Sequence, residues 1–182
     1  ASPAADATPC LIAHEATVEL ASARGKRNMK LADFVTGPNK TELQEGELLT
    51  AVECDALPGH GGSFEKVGHR RSLVISLVCL AALVKLDGQG RTIEDARLAI
   101  AGIGPRPLRL TQVEALLKGT PLSATLLEEA ADMPVDLVAS RTRQEYRREV
   151  VRGFMARGLI NAARRAGATP PALSHELEAA YA

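Results

Sequence analysis

The longest apolar run of the chain, residues 73–84, constrains the fold most strongly. It is followed by the turn sequence D-G-Q-G at residues 87–90 and by a second apolar run at residues 93–103. An Asp-Gly pair between two apolar runs is a hairpin signal, so we predict two long antiparallel strands at residues 74–86 and 93–103. The first run is well short of the roughly 20 residues that a spanning helix needs. We therefore predict no transmembrane segment and no membrane partner.

In residues 64–165 the predicted strands precede the predicted helices. Residues 64–68 predict a short strand before the hairpin, and helical signals follow Pro107. Residues 110–117 predict one helix, and Ser123 is placed to cap a second. The longest helix is predicted at residues 144–165, where apolar side chains recur at fourfold spacing. Strands followed by segregated helices predict an α+β fold rather than a doubly wound sheet.

The N-terminal part of the chain alternates helical and strand signals. A Ser-Pro pair predicts a helix over residues 2–14, because Ser suits the N-cap and Pro the first helical position. Residues 18–21 and 26–31 flank a polar turn and predict a hairpin. A helical turn is predicted at residues 32–35, and residues 48–54 alternate apolar and polar side chains as in a strand.

The sequence L-P-G-H-G-G at residues 57–62 is the best linker candidate. Gly and Pro at that density are not expected to continue a strand or a helix. We therefore predict one domain at residues 1–58 and a second at residues 63–168. Residues 169–182 are predicted to be a Pro-containing tail with a short helix around His175 to Ala180.

Composition argues against a nucleic-acid partner. The 22 basic and 22 acidic residues cancel, aromatic residues make up 3% of the chain, and Trp is absent. Base-stacking platforms need aromatic rings. The predicted helix at residues 144–165 carries an Arg-rich face, which is either a basic groove or a solvated surface. We favour the solvated surface, with Glu145–Arg148 and Glu149–Arg152 pairs one turn apart.

Histidine and cysteine spacing favours neither a metal site nor a disulfide. Neighbouring histidines do not occur at the spacing that aims two rings at one metal, and no C-x-x-C pair is present. Cys10, Cys54 and Cys79 are odd in number and far apart, which is typical of reduced thiols and of a cytoplasmic protein. No P-loop or nucleophile elbow occurs, so we assign no catalytic residue.

Two charged residues have alternative interpretations. Lys66, in the predicted strand at residues 64–68, is either a side chain that extends to solvent or a fixed cation beside an anionic ligand or redox cofactor. Asp6, near a helix N-terminus, is favoured by the helix dipole whether or not it binds a ligand. The residues alone leave both questions open.

Several motifs in register resemble one family. They are F-E-K-V-G-H-R-R at residues 64–71, I-S-L-V at 75–78, A-I-A-G-I-G-P-R-P at 99–107 and E-Y-R-R at 145–148. In this order they resemble the C-terminal domain of the FAD-binding (medium) subunit of the molybdenum hydroxylases, the family of xanthine dehydrogenase and carbon monoxide dehydrogenase. The resemblance implies an antiparallel three-stranded sheet packed with helices.

The upstream region resembles the second half of the same subunit's FAD-binding domain of the PCMH type. The matching motifs are S-P-A-A-D at residues 2–6, L-A-D-F-V-T-G-P-N-K-T at 31–41 and E-L-L-T-A-V at 47–52. Carried over by motif, Asp6, Leu49 and Lys66 are the expected FAD contacts. The Gly-rich loop that holds the FAD pyrophosphate is expected in an N-terminal lobe on a further chain.

The resemblance also implies a function and partners. A molybdopterin large subunit hydroxylates the substrate, a small subunit with 2Fe-2S clusters carries the electrons, and FAD passes them to an external acceptor. This chain is then an oxidoreductase component at the flavin end of that path. The alternative is a non-catalytic docking module of such a complex that does not itself retain FAD.

Overall fold

The structure, a computed structural model, describes residues 1–70, 73–140, 142–171 and 173. Its helices are α1 (Ala7–Ala13), α2 (Leu31–Phe34), α3 (Thr111–Leu117), α4 (Ala124–Asp132) and α5 (Gln144–Arg165), with a 3-10 turn at Val135–Leu137. Its strands are β1 (Thr17–Ser22), β2 (Gly25–Lys30), β3 (Val35–Gly37), β4 (Lys40–Thr41), β5 (Leu48–Glu53), β6 (Gly61–Val67), β7 (Val78–Leu86), β8 (Ile93–Ala101) and β9 (Leu108–Arg109). The helix predicted around His175 to Ala180 lies outside the described residues.

The strands form antiparallel sheets. One has the order β2-β1-β5, a second pairs β3 with β4, and the third has the order β6-β7-β8-β9. The predicted α+β class and the antiparallel sheet of the C-terminal region are confirmed. The predicted three strands of that sheet are β6, β7 and β8. The two-residue strand β9 adds a fourth strand, which the sequence analysis missed because two residues carry no periodicity.

Strand β7 is covered on both faces, which explains its almost unbroken apolar sequence. Successive side chains of a strand point to opposite faces. Leu80 and Ala82 belong to a core shared with the C-terminal helices, whereas Ala81 and Leu83 belong to a core shared with α1 and β1. The β6-β9 sheet is therefore the middle layer between the helices and the N-terminal region.

The helix layer is centred on α5. Met155 and Leu159 of α5 are fully buried in the same core as Leu80 of β7, and Leu127 of α4 joins them. Each such aliphatic side chain stabilises the fold by about 1.5–3 kcal/mol. The side-chain oxygen of Ser123 accepts from the backbone N–H of Leu126, so Ser123 caps α4 as predicted.

The N-terminal region packs on the opposite face of the sheet. Ile12 and Leu20 are buried against Ala81 and Ala99. Helix α1 begins at Ala7 rather than at the predicted Ser2. Pro9 is its third residue, where the missing N–H has no intrahelical partner in any case.

An ion-pair network joins the two regions beside α1. The Glu15 carboxylate accepts from Nη1 of Arg109 at 2.8 Å and pairs with Lys30 at 3.4 Å. The hydrogen bond from Arg109 and the charges of Arg109 and Lys30 hold the pKa of Glu15 below its ordinary 4.5, against a smaller opposing effect of burial. Glu15 is therefore anionic at neutral pH and supports both partners.

The arginines of α5 correct the prediction of a simple solvated face. Arg147 is buried, and Arg157 pairs with Glu65 at 2.7 Å. Arg152 pairs with Asp132 of α4 at 2.6 Å, rather than one turn away along its own helix. These three arginines therefore contact other parts of the fold instead of forming a solvated face. Among the described residues, no helix is both long and apolar enough to span a membrane.

The Gly-rich stretch at residues 57–62 contains the start of β6, so the expectation that it cannot continue a strand was wrong for Gly61 and Gly62. The reason is close packing of β6 on α5. A Cβ atom on Gly61 would lie 2.1 Å from the carbonyl oxygen of Ala162. The missing side chain is what allows the strand to reach the helix.

We expect Gly61→Ala to lower the free energy of unfolding by about 1–3 kcal/mol or more, since overpacking forces backbone shifts. Gly88→Ala is the matched control, because a Cβ at Gly88 meets no atom within 4 Å. The urea midpoints of both variants measure the difference. Equal midpoints would show that β6 does not need this close approach.

Candidate cofactor site

Asp6, Ser76 and Lys66 form a hydrogen-bonded cluster where the N-terminal region meets the β6-β9 sheet. One carboxylate oxygen of Asp6 accepts from Oγ of Ser76 at 2.5 Å, and the other accepts from Nζ of Lys66. Nζ of Lys66 also donates to the carbonyl oxygen of Val74 at 3.0 Å. The structure thus brings together two predicted site residues that are 60 positions apart in the sequence.

Local structure explains why these side chains meet. Asp6 occupies the N-cap position of α1, but its carboxylate makes no capping hydrogen bond and turns to Lys66 and Ser76. Lys66 lies on β6, and Ser76 lies in the segment before β7. The packing of α1 on the sheet therefore places the cluster.

The cluster keeps room for a ligand. The Lys66 side chain is 29% exposed and that of Asp6 is 43% exposed. A lysine ammonium has three N–H donors, and two have partners here. A carboxylate has about four acceptor positions, so Asp6 retains capacity as well. The donor and acceptor set fits a ligand that offers both hydroxyl groups and negative charge, as FAD does.

The cluster fixes the charge of Asp6. Partial burial raises the pKa of this carboxyl. The hydrogen bonds from Lys66 and Ser76 and the charge of Lys66 together lower it by more, so the net pKa lies below the ordinary 3.8. Asp6 is therefore an anionic hydrogen-bond acceptor at neutral pH.

The neighbour of Lys66 in the F-E-K-V motif has a different role. Glu65 points to the opposite face of β6 and is 9% exposed. It accepts from Arg157 at 2.7 Å and from Asn161 at 3.2 Å, both on α5, and from Ser63 at 2.9 Å. Alternation along one strand thus separates a buried structural acid from a partly exposed cation.

Two cavities adjoin the cluster. A cavity of about 500 Å³ is lined by Lys66, His69 and Val74, among others. A second, of about 660 Å³, shares His69 and is lined by residues of several quoted motifs. These include Pro3, Ala4, Pro38, Ser76, Gly102 and Arg147. The S-P-A-A-D segment, the loop at residues 36–41 and the Gly-Pro turn therefore converge on one space.

Leu49, the remaining predicted site residue, lies in a different sheet. It is on β5, opposite Leu20 of β1, and is 41% exposed. Leu48 and Val52 on the same strand are also exposed. The structure therefore pairs Asp6 with Lys66 but places Leu49 on the exposed edge strand of the N-terminal sheet.

The loop before β5 is fastened by Glu47. Its carboxylate accepts from Nε and Nη2 of Arg27, at 2.7 and 2.8 Å, and from the backbone N–H of Gln44 at 2.8 Å. The hydrogen bonds from Arg27 and Gln44 lower the pKa of Glu47 to about 2. These contacts hold the chain two positions before Leu49.

We expect Glu47→Gln to remove a pH-dependent part of the stability. Because the folded-state pKa is depressed, the wild-type contribution is present above the ordinary pKa of 4.5 and is lost as the pH falls towards about 2. Urea midpoints at neutral and acidic pH measure this, and the gap between wild type and variant should close at low pH. A gap that is the same at both pH values would contradict the assignment.

Sequence reasoning missed two residues near the cavities. Ser76 belongs to the I-S-L-V motif but was not predicted as a site residue, although a polar residue inside the apolar run at residues 73–84 was an available signal. Arg147 was assigned to a solvated face, although it belongs to the E-Y-R-R motif. Strand β7 begins at Val78 rather than at residue 74, so the segment containing Ser76 is free to turn towards Asp6.

The cysteines are free thiols in different surroundings. Cys79 is buried, and desolvation raises its pKa to about 11, whereas Cys54 is exposed. Within the part of the chain that the structure describes, no group of three His, Cys, Asp or Glu side chains is arranged to hold a metal ion.

Two family models match the chain. Residues 63–162 match the CO dehydrogenase flavoprotein C-terminal domain, and residues 1–54 match the FAD binding domain in molybdopterin dehydrogenase. The chain belongs to the FAD-binding subunits of the molybdenum hydroxylases. The predicted family is therefore confirmed, and the relatives that the chain matches are subunits of dehydrogenases.

The chain is similar to the medium chain or FAD-subunit of several dehydrogenases. The glyceraldehyde dehydrogenase medium chain of Sulfolobus acidocaldarius is 36% identical over 156 residues, which cover 84% of this chain and 54% of the relative. The nicotinate dehydrogenase FAD-subunit of Eubacterium barkeri is 34% identical over 170 residues, covering 88% and 56%. The chain thus spans a little over half the length of these relatives.

Solved structures share the fold. The reconstituted CO dehydrogenase from Oligotropha carboxidovorans superposes with a TM-score of 0.84 at 25% identity, covering 90% of this chain and 58% of that one. Quinoline 2-oxidoreductase from Pseudomonas putida 86 gives a TM-score of 0.82 at 24% identity, covering 91% and 58%. The predicted fold is confirmed by these likenesses.

Proposed function

We propose that this chain forms one wall of the FAD site in the flavoprotein subunit of a molybdenum hydroxylase complex. The Asp6–Ser76–Lys66 cluster is the observation that carries the proposal. It joins the two regions that match the family models, and it lies beside cavities lined by the motifs of both. The rest of the site is supplied by the N-terminal FAD-binding lobe of the flavoprotein, which the matched region does not span. Where that lobe is a separate polypeptide, a further chain completes the site.

FAD, when bound, supplies the redox chemistry. Asp6, held anionic, accepts a hydrogen bond from a ribose or flavin donor. Lys66, held by Asp6 and by the Val74 carbonyl, presents a fixed positive charge that favours negative charge on the ring. Leu49 provides an apolar surface that excludes water on the side of β5.

The chain then acts at the flavin end of an electron path. Substrate is hydroxylated at a molybdopterin centre on the large subunit, electrons cross 2Fe-2S clusters on a small subunit, and FAD delivers them to an external acceptor. The region from residue 63 onward supports the flavin and docks these partners. We place the complex in the cytoplasm, in keeping with free thiols at Cys10, Cys54 and Cys79.

The alternative is a docking module that does not retain FAD. A partly exposed cation and anion held beside two cavities support the flavin site instead, since a module used only for docking has no need of them. Native mass spectrometry and the visible spectrum of the purified assembly test the proposal together. We expect FAD in equimolar amount to this chain. An intact assembly without flavin would refute the proposal.

A further inference from the structure

Arg147 of α5 makes a set of contacts that the proposed function does not use. Its side chain is buried, at 8% exposure. Nη1 donates to the carbonyl oxygens of Leu77 and Gly102, the latter at 2.6 Å, and Nε donates to that of Thr142 at 3.0 Å. These partners come from three separate segments of the chain.

The guanidinium is buried without an acid. Within the described residues, the hydrogen bonds of Arg147 go to backbone carbonyls, and no carboxylate pairs with it. Burying a charge is costly unless hydrogen bonds compensate for it. Burial and the neighbouring charge of Arg143 both lower the pKa of Arg147. The hydrogen bonds to three carbonyls offset this cost, so the structural task of Arg147 is defined by the segments that they join.

The task follows from how closely two backbone segments approach. A Cβ on Gly102, which has a φ of +86°, would lie 2.4 Å from the carbonyl oxygen of Leu77. The carbonyl oxygens of Leu77 and Gly102 both point at Nη1 of Arg147, and two such dipoles repel each other unless a cation lies between them. Arg147 therefore holds the segment before β7 against the turn after β8.

Gly102 and Leu77 are also hydrogen-bonded to the segments that carry the Asp6–Ser76–Lys66 cluster. The N–H of Gly102 donates to the carbonyl of Pro3 at 2.8 Å, in the segment that ends at Asp6. The N–H of Leu77 donates to the carbonyl of Val67 at 2.8 Å, next to Lys66 on β6. Leu77 itself follows Ser76. Arg147 binds the carbonyls of Gly102 and Leu77. One backbone hydrogen bond links Gly102 to the segment of Asp6, and another links Leu77 to the strand of Lys66. Ser76 is joined to Leu77 by the peptide bond.

We infer that Arg147 is a positioning residue for the flavin site: by binding the Leu77 and Gly102 carbonyls it sets the geometry of Asp6, Ser76 and Lys66. The inference rests on the proposed function. A lysine cannot replace it, because only the planar guanidinium presents several donors in a fixed fork.

Arg147→Lys in the purified flavoprotein, with its accompanying chains, tests the inference. Arg148→Lys is the matched control, since Arg148 is the next residue of α5 and is exposed. FAD is removed, and FAD affinity is measured by titration. Hydrogen exchange by mass spectrometry is followed in peptides covering residues 1–8 and 74–79. Arg147→Gln, which removes the buried charge but keeps an N–H donor, is a second variant if the lysine variant does not fold.

We expect Arg147→Lys to bind FAD about tenfold more weakly or worse, because displacing Asp6 and Lys66 weakens hydrogen bonds to charged groups, each of which contributes about tenfold or more to affinity. Exchange should accelerate in the two peptides while the core of β7 and β8 stays protected, and Arg148→Lys should match wild type. Equal FAD affinity in both variants would overturn the inference, as would a uniform rise in exchange with unchanged affinity. Failure of wild type to take up FAD is a different result, and it contradicts the proposed function.

Discussion

Glu65→Ala is expected to lower the free energy of unfolding by about 3 kcal/mol, because the change removes a largely buried carboxylate that accepts three side-chain hydrogen bonds. The Glu65 carboxylate accepts from Ser63, Arg157 and Asn161, and it is 9% exposed. Two of these donors lie on α5. The change therefore weakens the attachment of the longest helix to β6.

The control for Glu65 is Glu94→Ala. Glu94 lies on β8 and pairs with Lys85 at 2.6 Å, but its side chain is 51% exposed. Exposed pairs contribute about 0–1 kcal/mol, so this variant should stay close to wild type. Chemical denaturation measures both variants. Losses of equal size would show that Glu65 is not the attachment point of α5.

Lys66→Met is expected to weaken FAD binding by about 10- to 100-fold, since hydrogen bonds to charged groups contribute about 1.5–3 kcal/mol. The substitution removes the fixed cation and leaves Asp6 without its main partner. The reduction potential of the remaining bound flavin should become more negative, because negative charge on the ring loses its stabilising neighbour. FAD titration and a potentiometric titration measure the two effects.

Lys85→Met is the matched control for Lys66→Met. Lys85 also belongs to an ion pair, and its side chain is 35% exposed compared with 29% for Lys66. It lies on β7 and outside the lining of the cavity that contains Lys66. We expect unchanged FAD affinity. If the two lysine variants retain FAD equally and the assembly keeps its redox behaviour, the docking alternative is the better account.

Local patterns predicted the elements that local interactions determine. The Asp-Gly turn predicted the β7-β8 hairpin, and fourfold spacing predicted the limits of α5, which spans Gln144–Arg165. Ser123 was recognised as a cap because its hydrogen bond is formed within its own helix. Each of these features needs only neighbours in sequence.

Features that depend on distant partners were missed. Gly61 and Gly62 signal a linker locally, yet they pair with Val84 and Leu83 of β7, and Gly61 packs closely on α5. Arg147 belongs to an Arg-rich face whose composition is typical of a solvated surface. Its burial depends on a contact with Leu77, 70 positions away. The motif resemblance predicted Asp6 and Lys66 as FAD contacts, but it did not predict their contact with each other, which depends on the packing of α1 against the sheet.

The most direct test of the flavin site is an experimental structure of the FAD-bound flavoprotein, in which the distance from Nζ of Lys66 to the nearest atom of FAD is measured. We expect the charge of Lys66 to lie within about 4–6 Å of the cofactor, the range in which a charge shifts a neighbouring ionisation. We also expect the Asp6–Ser76–Lys66 cluster to border the cofactor. FAD bound elsewhere, with Lys66 still paired only to Asp6 and Val74, would contradict the account.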